Sequence, residues 1–420
     1  MGEEFEREVT WAEGKPKDIS VRAGAGVSVR VVKGGRQGFS SGTDSSPSGV
    51  RALFDRAVGS AKATFPDHSR QLPLPIGLKG SQSETSGRIS CAPKSLLNRL
   101  KTLERRVLSG DRRIKKALSL SFQETQGVQA IVNTRGVSVA EPWGAVSFSA
   151  EILGASGKET ETSWGSAEKR AWAELNPEAV IDDARARLLT SFGARPLRSG
   201  TWPVILTPRV GVEFLDLFSQ AILADAVQKG RSCLAGRLSK KVASPLVSLI
   251  DDGTLVGGLA SGQWDDEGVP KQRTVVVVGG TLCSFLHDTA TACRAKTVST
   301  GNASKSERNT PPSPGVSNFY LAGGELSREA LYQTTSRAFV VRDVIGMHTA
   351  DCVSGEFSVG ASGFLWEKGK PGRAVRGVTL SGNLLDLFAG VDAVANDLTW
   401  QGTMGAPTFR VKRLSVGGAS

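Results

Sequence analysis

From Phe5 to Phe39 the side chains alternate with a period of two through "FEREVTWAEG" and "KDISVRAGAGVSVRVVKGGRQGF", and the alternation breaks only at glycine-containing turns. A period of two sends successive side chains to opposite faces of an extended chain, so this stretch reads as strands joined by tight turns. The same texture returns in "KKALSLSFQETQGVQAIVNTRGVSVAEPWGAVSFSAEILG" (Lys115–Gly154). Forty-nine glycines without a collagen-like period fit a chain with many such turns.

Helical spacing appears between the strand runs. Ser45 or Ser46 can cap a helix with Pro47 in its first turn, and Val50, Leu53, Phe54, Ala57 and Val58 give it one apolar face. A second helix is expected over about Lys94–Ser109, with Leu97, Leu100, Leu103 and Leu108 as its stripe. A third follows Asn176 as cap and Pro177 at the first turn, with Leu188 and Leu189 on its buried side. Residues 66–90, rich in Pro, Gly and Ser, read as a connection. After "RPLRSGTW" the texture shifts to one strand ("PVILTP"), one helix and then mostly short strands. The expectation is an α+β fold in two parts, 1–198 and 199–420, the second strand-rich.

The net charge is +11, but it is not spread evenly. Residues 51–150 hold 16 Lys+Arg against 7 Asp+Glu, and residues 201–420 hold 22 against 19. The centre of the excess, Asn98–Lys116, carries no aromatic interleaving and no nucleic-acid motif, which argues for a solvated amphipathic helix or a surface for an acidic partner. Five widely spaced cysteines without a C-x-x-C pair fit free thiols in a reducing compartment, and no apolar run approaches the length of a membrane span. A soluble, cytoplasmic protein without a membrane partner is expected.

Several short motifs invite a chemical reading. "GFSSG" (Gly38–Gly42) satisfies the nucleophile-elbow pattern, yet an elbow needs a serine activated by a histidine, and His68, His287 and His348 are the only three. A Gly/Ser turn is the simpler reading. "DDGT" (Asp251, Asp252) and "WDDEG" (Asp265, Asp266, Glu267) could pair carboxylates for acid–base work, but Asp before Gly is also how turns are written. "STGNAS" (Ser299–Ser304) lacks the ending of a phosphate-binding loop. "HDTATAC" offers one His and one Cys, too few ligands for zinc, so His287 reads as a satisfied structural residue. The segment Phe214–Gly230 has helical spacing but no histidine. No self-sufficient catalytic constellation emerges from the residues alone.

The succession "LSKKVASPLVSLIDDGTL", "WDDEGVPKQRTVVVVGGTLCSFLHDTATAC", "STGNAS", "GVSNFYLAGGELSREAL", "GEFSVGASGFLWEKGKPGRAVRGVTLSGN" and "GAPTFRVKRLSVGG" resembles the TldD/PmbA family of peptide-maturation proteases, also described as modulators of DNA gyrase. The likeness extends into the first part through "GRQGFSSGTDSSPSGVRALFDRAV" and "NPEAVIDDARARLL". Relative to the family pattern the chain begins late, short of part of the leading helix.

The resemblance implies a function. TldD subunits carry H-E-x-x-x-H on the helix before "DDGT" and a cysteine near the C terminus, together holding catalytic zinc. Here the matching positions read "LDLFSQ", with Leu215 and Gln220 where the histidines would stand and Asp216 where the glutamate would stand. Leucine cannot ligate a metal and glutamine is a poor neutral ligand. No cysteine lies between "NDL" and "PTFRV" either. The resemblance therefore implies the metal-free kind of subunit, TldE, with no cofactor of its own. Its partner would be a zinc-bearing TldD-like subunit, and extended peptides would be cut in their shared chamber, as in leader-peptide removal. Asp265, Glu267, His287, Asp288, Asn302, Asn318 and Phe319 are the candidates for substrate contact. Two other readings stay open: a stand-alone enzyme using Asp251, Asp252, Asp265, Asp266, Glu267 and His287, and a regulator of gyrase or nucleic acid acting through Arg99–Lys116.

Overall fold

The computed structural model describes residues 1–76, 92–307 and 309–419. Its first part is built from β1 (Gly2–Ala12), β2 (Lys15–Lys33), β3 (Arg36–Gly42), α1 (Pro47–Lys62), α2 (Pro93–Leu108), β4 (Ile114–Val132), β5 (Ser138–Ser156), β6 (Glu159–Lys169) and α3 (Pro177–Ser191). The six strands form one antiparallel sheet in the order β3-β2-β1-β4-β5-β6. The alternating runs of the sequence thus become neighbours, with β1 joining the early hairpin to the later one.

Three helices cover this sheet. Ser46 caps α1 by accepting from the Gly49 N–H, and Asn176 caps α3 by accepting from the Ala179 N–H, so each supplies an acceptor to a helix start that would otherwise lack one. Helices α2 and α3 lay Leu96, Leu100, Leu103, Val107, Ile181, Ala184 and Leu188 against Leu120, Phe122, Phe148 and Ile152 of the sheet. The buried face of α2 is therefore rotated from the expected stripe: Leu97 is only partly buried and Leu108 is exposed. On α1 the buried residues are Leu53, Ala57 and Ala61, while Phe54 faces solvent. The reason lies in Gly38, where a Cβ would stand 1.8 Å from the Ala57 carbonyl oxygen. The helix backbone rests directly on the strand, which only small residues on both sides permit.

One strand escapes the sequence pattern. The polar segment "ETETSWGSAEK" was not anticipated as a strand, yet it is β6, fully paired with β5. Residues 66–76 of the expected connection lack regular structure but are tied down: Asp67 N–H donates to the Gly35 carbonyl (2.8 Å) and Asn133 Nδ2 to the Pro73 carbonyl (3.0 Å). Residues 77–90 of that connection lie outside the described residues.

The second part contains β7 (Gly200–Leu206), α4 (Pro208–Ala221), α5 (Ala224–Gln228), β8 (Leu249–Asp252), β9 (Arg273–Val278), β10 (Thr281–Leu282), α6 (Thr289–Ala295), β11 (Ala303–Ser304), β12 (Ser313–Pro314), β13 (Phe319–Leu321), α7 (Arg328–Gln333), β14 (Arg337–Ile345), β15 (Glu356–Glu367), β16 (Lys370–Asn383), α8 (Leu384–Ala389), β17 (Val391–Val394), β18 (Thr399–Gln401), β19 (Met404–Ala406) and β20 (Phe409–Gly417). One sheet runs β10-β9-β8-β13-β19-β18 and another β16-β15-β14-β7-β20-β17. In the latter, β16 also pairs with β20 through Thr379–Ser381, so five strands close into a barrel. The whole is α+β. Among the described residues no helix is long and apolar enough to cross a membrane.

The segment Phe214–Gly230 is not one helix. Helix α4 starts six residues before Phe214, at Pro208, and stops at Ala221; α5 begins only at Ala224. Helix α4 lies in the largest core cluster, where Phe214 meets Phe357 of β15 edge-on (5.0 Å between ring centroids, 70°) and Phe218 meets Phe388 of α8 likewise (5.2 Å, 78°). Such edge-to-face pairs fix the helix rotation as well as its depth.

Candidate functional site

The fixed rotation of α4 decides what its motif positions can do. Leu215 is fully buried among the core residues, whereas Glu213, Asp216 and Gln220 look outward. Leu215 is packed into the core cluster while Gln220 faces outward, so the two side chains do not converge on one point. Asp216 receives a hydrogen bond from Gln220, and partial burial still raises its carboxyl above the usual range. An aliphatic side chain in the core, a carboxylate and an amide bonded to each other do not make a zinc site. Among the described residues no group of three or more His, Cys, Asp or Glu side chains is placed to hold a metal ion.

The other candidates do come together. They occupy the loops between β8 and β13, where the second part meets the first sheet. Asp251 is fully buried at the end of β8 and accepts from Asn302 Nδ2 (2.7 Å) and the Ser317 N–H (2.6 Å). Burial pushes its carboxyl up to about 6, against the lowering by those donors. Asp265 accepts from the N–H groups of Glu267 and Val269 (both 2.9 Å) and of Ala303 (3.0 Å). Burial again prevails and takes it to about 7. Glu267 binds Arg30 of β2 (2.5 Å) and the Thr289 N–H (2.9 Å). Asp288 caps α6 in a capping box with Thr291, and burial raises its carboxyl too.

Asn318 is equally committed. Its Nδ2 donates to the Asp252 carbonyl (2.7 Å) and to Ser261 Oγ (2.9 Å), and its Oδ1 accepts from the Ala260 N–H (3.1 Å). Phe319 is a core residue whose backbone sits between Asp251 of β8 and Met404 of β19. Asp252 accepts from the N–H and hydroxyl of Thr254, and Asp266 from Gln129 Nε2 (2.7 Å) and the Lys305 N–H (2.6 Å). Each of Asp251, Asp252, Asp265, Asp266, Glu267, Asp288 and Asn318 accepts from at least one main-chain amide. A carboxylate used in this way shapes a loop in place of secondary structure.

His287 is satisfied only in part: it bonds the Thr291 backbone, while one ring nitrogen stays unpaired. Its backbone is held by Thr300, but its ring Nδ1 is buried without a hydrogen-bond partner, and burial lowers its pKa. "GFSSG" forms no elbow, since Ser40 sits inside β3 opposite Val29. The residues that sequence reading missed are those contributed by the first sheet: Arg30, Gln129, and Glu141, which accepts from the Gln263 N–H. Arg30 and Glu267 are 237 positions apart, and no local pattern links them.

Three family models match in order: the PmbA/TldA metallopeptidase domain 1 over residues 2–61, its central domain over 92–192 and its C-terminal domain over 199–418. The first two meet on one sheet, because β1 pairs with β4. Metalloprotease PmbA of Escherichia coli O157:H7 is 24% identical over 411 residues, covering 96% of this chain and 88% of that one. A metalloprotease of Methanocaldococcus jannaschii is 27% identical over 406 residues, covering 93% and 87%. Among solved structures, a putative modulator of a DNA gyrase from Thermotoga maritima superposes with a TM-score of 0.90 at 26% identity, covering 99% of this chain and 94% of its own. TldE from Thermococcus kodakarensis gives 0.89 at 22% identity, covering 99% and 96%, a likeness of fold. With the C-terminal model alone spanning residues 199–418 and the other two filling most of what precedes it, the chain belongs to the PmbA/TldD metallopeptidase family.

Proposed function

We propose that this chain is a TldE-like, non-catalytic subunit that pairs with a TldD-like zinc metalloprotease, the heterodimer cutting unfolded or leader peptides. The observation that carries this reading is Leu215, an aliphatic side chain sealed in the core at a position where the family resemblance calls for an imidazole. The likeness of fold to an archaeal TldE supports it. In this reading zinc belongs to the partner. This chain completes the chamber and helps to hold an extended backbone. The buried polar loops between β8 and β13 keep the chamber wall in shape, and Asp265, Glu267, His287, Asp288, Asn302, Asn318 and Phe319 act through that framework.

The test is purification of the chain alone and with a TldD-like partner, followed by metal counting and a peptide-cleavage assay. The isolated chain is expected to carry no stoichiometric zinc and to cleave nothing, and the pair to cleave with loss of activity on chelation. Chelator-sensitive cleavage by the isolated chain would overturn the reading.

A further inference from the structure

A second recess lies away from those loops, between the C-terminal end of α3 and the sheet that carries β14 and β15. It has a volume of about 580 Å³ and is walled by Phe192, Tyr332, Phe364, Trp366 and Pro371. Trp366 donates its indole N–H to the Tyr332 and Thr335 carbonyls (both 3.0 Å), and the Tyr332 and Trp366 rings stand 4.8 Å apart. These contacts hold the two rings against each other.

Arg342 stands at the mouth, shared with an adjoining groove of about 700 Å³. It is the extra residue of a β-bulge: Val341 pairs with Gly363 and Asp343 with Ser362, leaving Arg342 without a partner across the ladder. Bulges re-aim side chains. The bulge also needs Gly363, whose Cβ would stand 1.9 Å from the Val340 carbonyl oxygen. The guanidinium lies over the Phe364 ring, 5.2 Å from its centroid, and donates to Thr190 Oγ1 (2.7 Å). Burial lowers its pKa.

Among the described residues no carboxylate stands within ion-pair distance of Arg342. The adjacent acid, Asp343, is already taken by Arg209 (2.9 Å) and Arg187 (3.7 Å). Arg187 is itself buried and keeps an Nε–H without a partner. Arg187 is nevertheless answered by Asp183 (3.0 Å) and does not line this recess, so Arg342 alone brings a guanidinium without a carboxylate partner to the aromatic wall. Glu329 also lines the recess, paired with its neighbour Arg328 (3.2 Å), and would repel a second acid.

We propose that Arg342 anchors the C-terminal carboxylate of a peptide whose last side chain is apolar and packs between Tyr332, Phe364 and Trp366. An α-carboxylate and a terminal side chain branch from one carbon, so both arrive at a guanidinium and an aromatic wall that touch each other. An internal Asp or Glu would bring backbone where the apolar group belongs. That the ligand is a peptide rests on the reading above; the acid and the apolar group rest on the recess itself.

Fluorescence anisotropy on the full chain, with a labelled hexapeptide ending in Phe, tests this. The free acid is expected to bind about tenfold or more tightly than its C-terminal amide, the loss of one charge-assisted contact. Arg342→Met should bring the acid down to the amide, Arg342→Lys should restore part of the difference, and a peptide ending in Gly should bind weakly. Equal binding of acid and amide, or no binding of either at about 1 mM, would overturn the proposal without altering the protein. N-acetyl-phenylalanine binding as tightly as the hexapeptide would overturn its peptide part. Cleavage by the heterodimer is scored separately, so failure there with the acid preference intact would sink the subunit reading and not this one.

Discussion

Leu215 and Asp265 carry the two predictions that belong to single residues. Placing histidines at both motif positions, Leu215→His with Gln220→His, is expected not to create a zinc site. It should instead destabilise the fold by roughly 2–4 kcal/mol, because one imidazole replaces a core side chain without a partner. Urea denaturation with metal counting checks both halves. Asp251 and Asp265 make the second case, with carboxyls at about 6 and about 7 against the ordinary 3.8. A raised folded-state pKa means that the native state binds more protons than the unfolded one through that interval. Their contribution is complete below about pH 4 and is lost as pH rises to about 7, by a few kcal/mol at most. Denaturation midpoints across pH 4–8 should fall less steeply in Asp265→Asn than in the parent chain.

At the scale of elements, α1 and its strand make the sharpest case. Gly38→Ala places a methyl group against the Ala57 carbonyl, so α1 must lift from β3, at an expected cost of roughly 2–4 kcal/mol. Hydrogen exchange should quicken in α1 and β3 ahead of the rest of the sheet. Elements such as these were legible where one local rule decided them: Ser46 and Asn176 announced helix starts, and the period-two runs announced β1 to β5. Legibility failed where distant packing decided. The rotation of α2, the break between α4 and α5 and the pairing of polar β6 depend on neighbours far along the chain. The candidate site followed the same division. Aspartate turns were readable from Asp–Gly spacing, but the Arg30 and Gln129 contacts and the orphan nitrogen of His287 were not.

For the whole molecule, the distribution of charge speaks to partners. Four of the eight basic residues from Arg99 to Lys116 are answered within the chain: Arg106 pairs with Asp182, Arg99 with Glu178, Arg113 with Asp111 and Lys116 with Glu13. Exposed pairs contribute little stability, but they reduce the field available to a polyanion. The chain is therefore expected to show no measurable affinity for duplex DNA near physiological salt, with only weak, steeply salt-dependent retention below it. A filter-binding titration across salt concentration decides this and bears directly on the gyrase-regulator alternative.

The pairing of β16 with β20 has a consequence for any visiting chain. Where the ring closes, through Thr379–Ser381, neither strand leaves a vacant rail, so an incoming ribbon cannot lie along that seam. Strands at the margins of the sheets, such as β6 and β17, have a neighbour on one side alone. A ligand that settles against the closed ring must be met by side chains alone, and the guanidinium of Arg342 is mounted there.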